Sequence, residues 1–271
     1  MPELPEVETT RRGIEPWLVG RRIERLVVRQ WRLRWRVPQT LPARVQGTTI
    51  RSVGRRAKYL LVATDAGTLI WHLGMSGSLR VLAAESPPLA HDHVDLVLDS
   101  GRCLRFNDPR RFGSLLYTTG PPARHALLAK LAAEPLSDAF DGAGLWRHAR
   151  GRSCSIKSFI MDSRQVVGVG NIYASEALFR AGIRPGLAAG RVSRLRMDAL
   201  VAAIKDVLSE AIEVGGTTLR DYVDADGMPG YFGRKLFVYD RRGKPCRRCR
   251  TPIRQFVQGQ RSTYWCPVCQ R

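Results

Sequence analysis

The tightest constraint on how this 271-residue chain can fold lies near its end. There Cys246-x2-Cys249 and Cys266-x2-Cys269 stand sixteen residues apart. Two thiolate pairs with that spacing can close a tetrahedron around zinc, and four protein ligands leave no open position for water or substrate. One zinc ion per chain, structural rather than catalytic, is therefore expected, with an iron–sulfur cluster as the lesser alternative. The intervening residues 253–258 and 263–265 read as two strands around a Gln258-Gly259-Gln260-Arg261 tip. So small a unit cannot fold without its metal. Cys103 and Cys154 stand alone. Six cysteines in an intracellular chain do not suggest a disulfide framework.

Residues 241–250 carry five arginines and one lysine, and the excess of positive charge extends over the whole chain, at +20 net. A surplus of that size favours a polyanion, with nucleic acid the first candidate and a membrane surface the rival. No stretch approaches the roughly 18 apolar residues of a membrane span, and no signal peptide opens the chain. A soluble, cytoplasmic protein is expected. Of the 44 basic residues 38 are arginine. A coding bias explains this most simply, but it draws attention to each lysine, which unlike arginine can lose its proton. The hydrophobic fraction of 44% suits ordinary packed cores, and the length suits two domains with a small appendage.

Residues 5–19 pattern as a helix with Val7, Ile14 and Leu18 on one face. Strand-like segments follow at 23–29, 49–53, 59–64, 68–73, 78–82, 94–98, 103–107 and 114–117. With no helices between them, they predict an antiparallel sandwich or barrel rather than a parallel sheet. Three stretches in this half carry chemistry. Arg55-Arg56-Ala57-Lys58 sets a lysine beside two fixed cations, which favours its neutral form; a solvated strand edge is an equal reading. His72-Leu73-Gly74-Met75-Ser76-Gly77 can present Met75 outward, although a buried methionine is commoner. Asn107-Asp108-Pro109-Arg110-Arg111-Phe112 suits phosphate contact and wedging between bases. His91-Asp92-His93 lacks a third metal ligand and reads as phosphate contact or plain surface.

Gly120-Pro121-Pro122 marks the best domain boundary. Helical patterns then cover 123–133, 155–162, 171–181 and 193–214. Gly168-Val169-Gly170-Asn171 feeds a helix N-terminus, whose amides suit a phosphate. No convincing strand precedes it, so a dinucleotide site is not expected. A loop of about 15 residues follows Gly215-Gly216, long enough to hint at function.

At the other terminus, removal of Met1 would expose Pro2 as a secondary amine. An α-amine titrates near pH 8, so a useful neutral fraction exists at physiological pH. Glu3 beside it could move protons. Taken alone, the prolines and Glu3, Glu6 and Glu8 are more ordinarily a helix start.

Set together, Met-Pro-Glu-Leu-Pro-Glu-Val-Glu-Thr, Arg-Arg-Ala-Lys-Tyr-Leu, His-Leu-Gly-Met-Ser-Gly-Ser-Leu-Arg, Asp-Pro-Arg-Arg-Phe-Gly, Val-Val-Gly-Val-Gly-Asn-Ile-Tyr-Ala-Ser-Glu and the four-cysteine finger resemble, end to end and in order, the bacterial formamidopyrimidine-DNA glycosylases. The resemblance implies an α+β fold. It has an N-terminal antiparallel β-sandwich with an N-terminal helix (1–120), a linker and connecting helix (121–150), a helical helix–two-turn–helix domain (151–235) and a zinc-finger β-hairpin (236–271). It also implies a bifunctional glycosylase and AP lyase acting on duplex DNA with oxidised purines or abasic sites. Pro2 is then the nucleophile, Glu3 the general acid/base, and Lys58 and Arg261 phosphate-holding catalytic groups. Met75, Arg110 and Phe112 fill the gap left by the flipped nucleotide. His72, His91, Arg110, Arg152, Asn171 and Tyr239 contact the DNA backbone. Glu6, Thr217, Thr218 and Tyr222 fall at the lesion pocket, the latter three on a loop at about 216–230 where Met228 replaces a lysine common in the family. Zinc is the expected cofactor, with no organic one, and a monomer is expected.

An endonuclease VIII-type enzyme for oxidised pyrimidines is the near rival; Leu4 and the Met75, Arg110 and Phe112 set favour the purine type. A non-catalytic damage-binding protein would not need Pro2, Glu3 and Lys58 together. A zinc hydrolase fails on the closed four-cysteine site.

Overall fold

The computed structural model describes residues 2–217 and 235–271, which fall into two compact units. Residues 2–129 with 214–217 form one, and 130–213 with 235–271 the other.

In the first unit, helix α1 (Leu4–Leu18) starts from a capping box. The Glu6 side chain accepts the Glu3 amide and the Glu3 side chain accepts the Glu6 amide. A proline in the first turn costs nothing there, since that amide has no partner within the helix. Its buried face, Leu4, Val7, Ile14 and Leu18, includes the three apolar positions expected from the periodicity. The strands are β1 (Ile23–Val28), β2 (Ile50–Arg56), β3 (Tyr59–Thr64), β4 (Gly67–His72), β5 (Ser78–Ala83), β6 (Asp92–Leu98), β7 (Arg102–Asn107) and β8 (Ser114–Thr118). They pair antiparallel in two four-stranded sheets, β1-β6-β7-β5 and β2-β3-β4-β8. Leu26, Leu96 and Phe106 of one sheet share an apolar core with Leu60, Val62 and Trp71 of the other. This is the expected sandwich. A short helix, α2 (Leu41–Val45), lies between β1 and β2 where the sequence reading had placed no element.

One buried ion cluster sits in the β1-β6-β7-β5 sheet. Arg105, 1% exposed, donates to both Asp95 oxygens at 2.9 Å. It also donates to the carbonyls of Ser86 and Pro87. A buried guanidinium is tolerated because its donors are satisfied. The result anchors the loop that leads into His91.

In the second unit the helices are α3 (Gly142–Ala149), α4 (Ile156–Ile160), α5 (Asn171–Arg180) and α6 (Arg194–Glu213). Residues 172–179 of α5 are all buried, as in a helix enclosed on every side. Strands β9 (Arg254–Gln258) and β10 (Arg261–Trp265) form the hairpin, and Phe179, Val238, Ile253 and Tyr264 share a small core with Cys246 and Cys266.

The helix expected over 123–133 does not form. Only a 3-10 turn at Pro122–Arg124 appears, followed by turns closed on the His125 carbonyl. The Ala132 amide bonds the Ser163 carbonyl at 2.9 Å, drawing the backbone off a helical path. The helix that forms within 121–150 is α3, later in the chain than the pattern suggested because glycines at 142 and 144 obscure it. The Asp141 side chain caps it, accepting the Gly144 amide at 2.6 Å. Gly142 is required there, because a Cβ would lie 2.7 Å from the Asp198 Cα. Among the described residues, no helix is long and apolar enough to cross a membrane.

Candidate active site and nucleic-acid interface

Pro2 and Glu3 are both buried at the start of α1, Glu3 at 2% exposed. The capping box determines the backbone of this pair. Glu6 Oε2 accepts the Glu3 amide at 2.8 Å, and Glu6 Oε1 accepts the Thr217 amide, also at 2.8 Å. The carboxylate therefore braces the Pro2-Glu3 terminus against the stretch after Gly216. Gly216 has φ +84°, and a Cβ on it would lie 3.0 Å from Glu6 Oε1. Glu6 and Thr217, expected at the lesion pocket, meet each other here through buried polar groups. Thr218 and Tyr222 lie outside the described residues.

Lys58 sits in the tight turn joining β2 to β3, where Ala57 takes φ 53°. Of the cations expected beside it, Arg55 is turned toward Glu8 at 3.0 Å and the Ala57 carbonyl at 2.9 Å. The β3–β4 register places Tyr59 opposite His72, with ring centroids 4.8 Å apart. Burial first, then the charges of Lys58 and Arg34, push the His72 pKa down to about 4. The ring is neutral at physiological pH. Its Nδ1 accepts the Gly74 amide at 2.9 Å, so the proton sits on Nε2. A neutral donor aimed by a backbone amide suits a phosphate oxygen.

The expected wedge residues come from two adjoining turns. Met75 is 38% exposed and Phe112 43%, and the Arg110 guanidinium lies 5.0 Å from the Phe112 ring. The turns touch through backbone: a Cβ on Gly74 would lie 2.4 Å from the Gly113 nitrogen. Asp108, fully buried, joins them. It accepts the Ser76 hydroxyl at 3.1 Å and the Gly113 amide at 2.7 Å. Its own amide donates to the His91 carbonyl at 3.0 Å, and its carbonyl meets His93 Nε2 at 2.8 Å. His91 itself is exposed with φ 69°. Asp92 is buried and accepts from Leu89 and Asn107. His91-Asp92-His93 is thus a structural turn with one outward imidazole. Asp108 was missed as a positioning residue, although an Asx before proline in a turn was a usable signal.

In the second unit, Arg261 opens β10 beside the hairpin tip, where Gly259 (φ 53°) and Gln260 (φ 61°) make a two-residue turn. Strand β10 therefore begins two residues earlier than expected. Arg261 lines a cleft of about 230 Å³ with Lys157, Ser158, Met161, Asp162, Gln258 and Gly259. Lys157 is 2% exposed, and its ammonium donates to Asn171 Oδ1 (2.6 Å), Thr263 Oγ1 (2.8 Å) and the Ser262 carbonyl (3.3 Å). Asn171 Nδ2 also donates to the Ser262 carbonyl, at 3.1 Å. The start of α5 and the finger strand are thereby tied together. Tyr239 stacks edge-on against Tyr264 at 5.1 Å. Its amide, with those of Phe237 and Val238, donates to the buried Glu176 carboxylate at 2.8–2.9 Å. Arg152 is exposed beside a second cleft of about 460 Å³ shared with Cys154, Ser158, Asp162 and Arg164. Lys157 and Glu176 were not foreseen, though one is among the six lysines and the other lies inside the Tyr-Ala-Ser-Glu motif.

The sulfurs of Cys246, Cys249, Cys266 and Cys269 all lie within 4.8 Å of one another, with pairs at 3.4 and 3.9 Å. Bonds of about 2.3 Å to a tetrahedral zinc put sulfurs about 3.8 Å apart. The donor set fits a structural zinc. Among the described residues it is the only group of three or more such side chains placed to hold a metal.

Comparison with known proteins agrees with this arrangement. Family models match along the chain: "Formamidopyrimidine-DNA glycosylase N-terminal domain" over residues 1–115, "Formamidopyrimidine-DNA glycosylase H2TH domain" over 131–223, and "Zinc finger found in FPG and IleRS" over 243–271. The formamidopyrimidine-DNA glycosylase of Syntrophotalea carbinolica is 59% identical over 271 residues, and that of Alkalilimnicola ehrlichii 61% over 277, each covering all of both chains. The crystal structure of the MutM (Fpg) protein of Thermus thermophilus superposes with TM-score 0.90 at 41% identity, covering 99% of this chain and 98% of that one. That of the Lactococcus lactis Fpg with DNA containing an abasic site gives 0.91 at 33% identity, covering 99% of each. With a sandwich, a buried Pro-Glu terminus and a four-cysteine finger of this form, the chain belongs to the formamidopyrimidine-DNA glycosylase family.

Proposed function

We propose that the chain is a bifunctional DNA glycosylase and AP lyase of base excision repair, acting on 8-oxoguanine and formamidopyrimidines in duplex DNA. The observation that carries the reading is the buried Pro2-Glu3 terminus, set by the Glu6 carboxylate at the start of α1. A damaged nucleotide is turned out of the duplex. The Pro2 nitrogen adds to C1′ as the bond to the base breaks. Glu3 protonates the sugar ring oxygen as the ring opens, leaving a Schiff base between Pro2 and C1′. Loss of the 3′ and then the 5′ phosphate by β- and δ-elimination cuts the strand on both sides. Lys58 and Arg261 hold phosphates near the reacting sugar, and His72, His91, Arg152, Asn171 and Tyr239 hold the flanking backbone. Met75, Arg110 and Phe112 occupy the space the nucleotide leaves. Zinc supplies no chemistry; it holds the hairpin that carries Arg261. The protein acts as a monomer on the bacterial nucleoid, in the cytoplasm.

Borohydride reduction of a mixture with an 8-oxoguanine:cytosine duplex tests the reading. A covalent adduct with the wild-type protein, lost or much reduced in Pro2→Gly, is expected. Tight binding with neither adduct nor cleavage would leave a damage-binding protein. A preference for thymine glycol would point to the pyrimidine-directed class.

A further inference from the structure

Between β1 and α2 the chain reads Gln30-Trp31-Arg32-Leu33-Arg34-Trp35-Arg36-Val37, with three arginines and no acid. This loop is pinned rather than loose. Leu33 and Val37 are buried, the Val37 amide donates to the Trp31 carbonyl at 3.0 Å, and Arg32 pairs with Arg36 across it. Anchoring those apolar residues turns Arg34 and Trp35 outward, and Trp35 is 46% exposed. The Arg34 guanidinium lies 5.9 Å from the Trp35 ring.

The loop is joined to the wedge by the Arg34 amide, which donates to the Gly113 carbonyl at 3.0 Å. Gly113 is also the residue whose amide Asp108 holds. Gly113 therefore links the segments that carry two arginine–aromatic pairs, Arg34 with Trp35 and Arg110 with Phe112. The Arg34 charge also acts on both His72 and Tyr59, so the guanidinium lies on the same patch as the imidazole. Among the described residues no carboxylate forms an ion pair with Arg34. A single exposed ring needs no explanation, but one lying under an arginine with no ion pair among the described residues, beside a phosphate-binding patch, matches duplex backbone in both charge and shape.

We infer that residues 30–37 form a further DNA-gripping element, in which Arg34 takes a backbone phosphate next to the one held by His72 and Trp35 packs against the adjoining deoxyribose. This rests on the duplex-DNA reading above, and the test separates the two. Affinity for an 8-oxoguanine:cytosine duplex is measured across a salt series for the wild type, Arg34→Gln, Arg34→Lys and Trp35→Ala, with unfolding midpoints measured alongside. One lost phosphate contact lowers the slope of log K against log salt by about 0.9. The expected results are that drop for Arg34→Gln, its recovery in Arg34→Lys, and severalfold weaker binding with an unchanged slope for Trp35→Ala. Wild-type slope and affinity in both Arg34→Gln and Trp35→Ala would overturn the inference. An absent borohydride adduct with the wild type would instead overturn the glycosylase reading.

Discussion

The Asp108 carboxylate receives the Gly113 amide at 2.7 Å, and its other oxygen receives the Ser76 hydroxyl, joining the Met75 turn to the Arg110–Phe112 turn. Both turns therefore present their side chains as one unit. Asp108→Ala leaves a buried amide and a buried hydroxyl without that partner, at a cost of about 1–3 kcal/mol. Asp108→Asn can still accept from Gly113 and donate to the Ser76 hydroxyl. Excision in single turnover is expected to slow at least tenfold in the alanine variant and much less in the asparagine one. Equal rates in the two would remove Asp108 from the positioning of the wedge.

His72 makes stability depend on pH. Its folded pKa, about 4 through burial and then the Lys58 and Arg34 charges, lies below the unfolded value of about 6.5. The stabilisation is therefore fully present above about pH 6.5. It is lost as pH falls toward 4, by about 3 kcal/mol in all. Urea unfolding between pH 7 and 4 should show a slope that His72→Gln flattens. An unchanged slope would mean that the ring is not buried neutral.

Chelation of zinc should unfold the hairpin without unfolding the sandwich. Among the described residues the finger core is Phe179, Val238, Ile253 and Tyr264 beside the cysteines, with Phe237 and Tyr239 packed against it, too little apolar surface to hold two short strands. Metal analysis is expected to give one zinc per chain. A chelator should weaken duplex binding at least tenfold, with recovery on adding zinc back. Full affinity in the metal-free protein would show that the hairpin folds without its metal.

The strands were legible because alternation such as Leu60, Val62 and Thr64 facing inward on β3 is a local signal, and the cysteine spacing nearly dictates a tetrahedron. Of the positioning residues, Asp108 alone offered a local signal, its place before a proline. Asp108, Lys157 and Glu176 act on backbone or distant side chains; the bond from Lys157 to Thr263 spans 106 residues. Their environment exists only once the chain has folded. The error at 123–133 has the same origin: its composition is helical, but the distant Ser163 carbonyl claims the Ala132 amide.

Lys157 should be sensitive to loss of its ammonium even when its volume is kept. Lys157→Met retains the apolar stem but takes the ammonium donor from Asn171 Oδ1 and Thr263 Oγ1, and one of two donors from the Ser262 carbonyl. A destabilisation of about 1–3 kcal/mol in urea is expected, with weaker binding of undamaged duplex because the Asn171 Nδ2 bond to the Ser262 carbonyl is then left to tie Asn171 to the Arg261 hairpin without the ammonium. Wild-type stability in Lys157→Met would mean that the ammonium gains nothing over methyl-capped packing.

Glu176 offers a residue-resolved test of how Tyr239 is placed. Its Oε1 accepts the amides of Val238 and Tyr239, and its Oε2 that of Phe237. Glu176→Gln keeps one oxygen for the first pair but can turn an amino group toward the Phe237 amide, setting donor against donor. Glu176→Ala removes all three acceptors. Hydrogen exchange should therefore quicken at residue 237 alone in the glutamine variant and at 237–239 in the alanine variant. Each lost bond of about 1.4 kcal/mol corresponds to a tenfold faster opening. Uniform acceleration across the finger in both variants would instead mean that Glu176 supports the whole module. A selective change would assign it the narrower task of orienting one turn, and with it the tyrosine that lies against Tyr264.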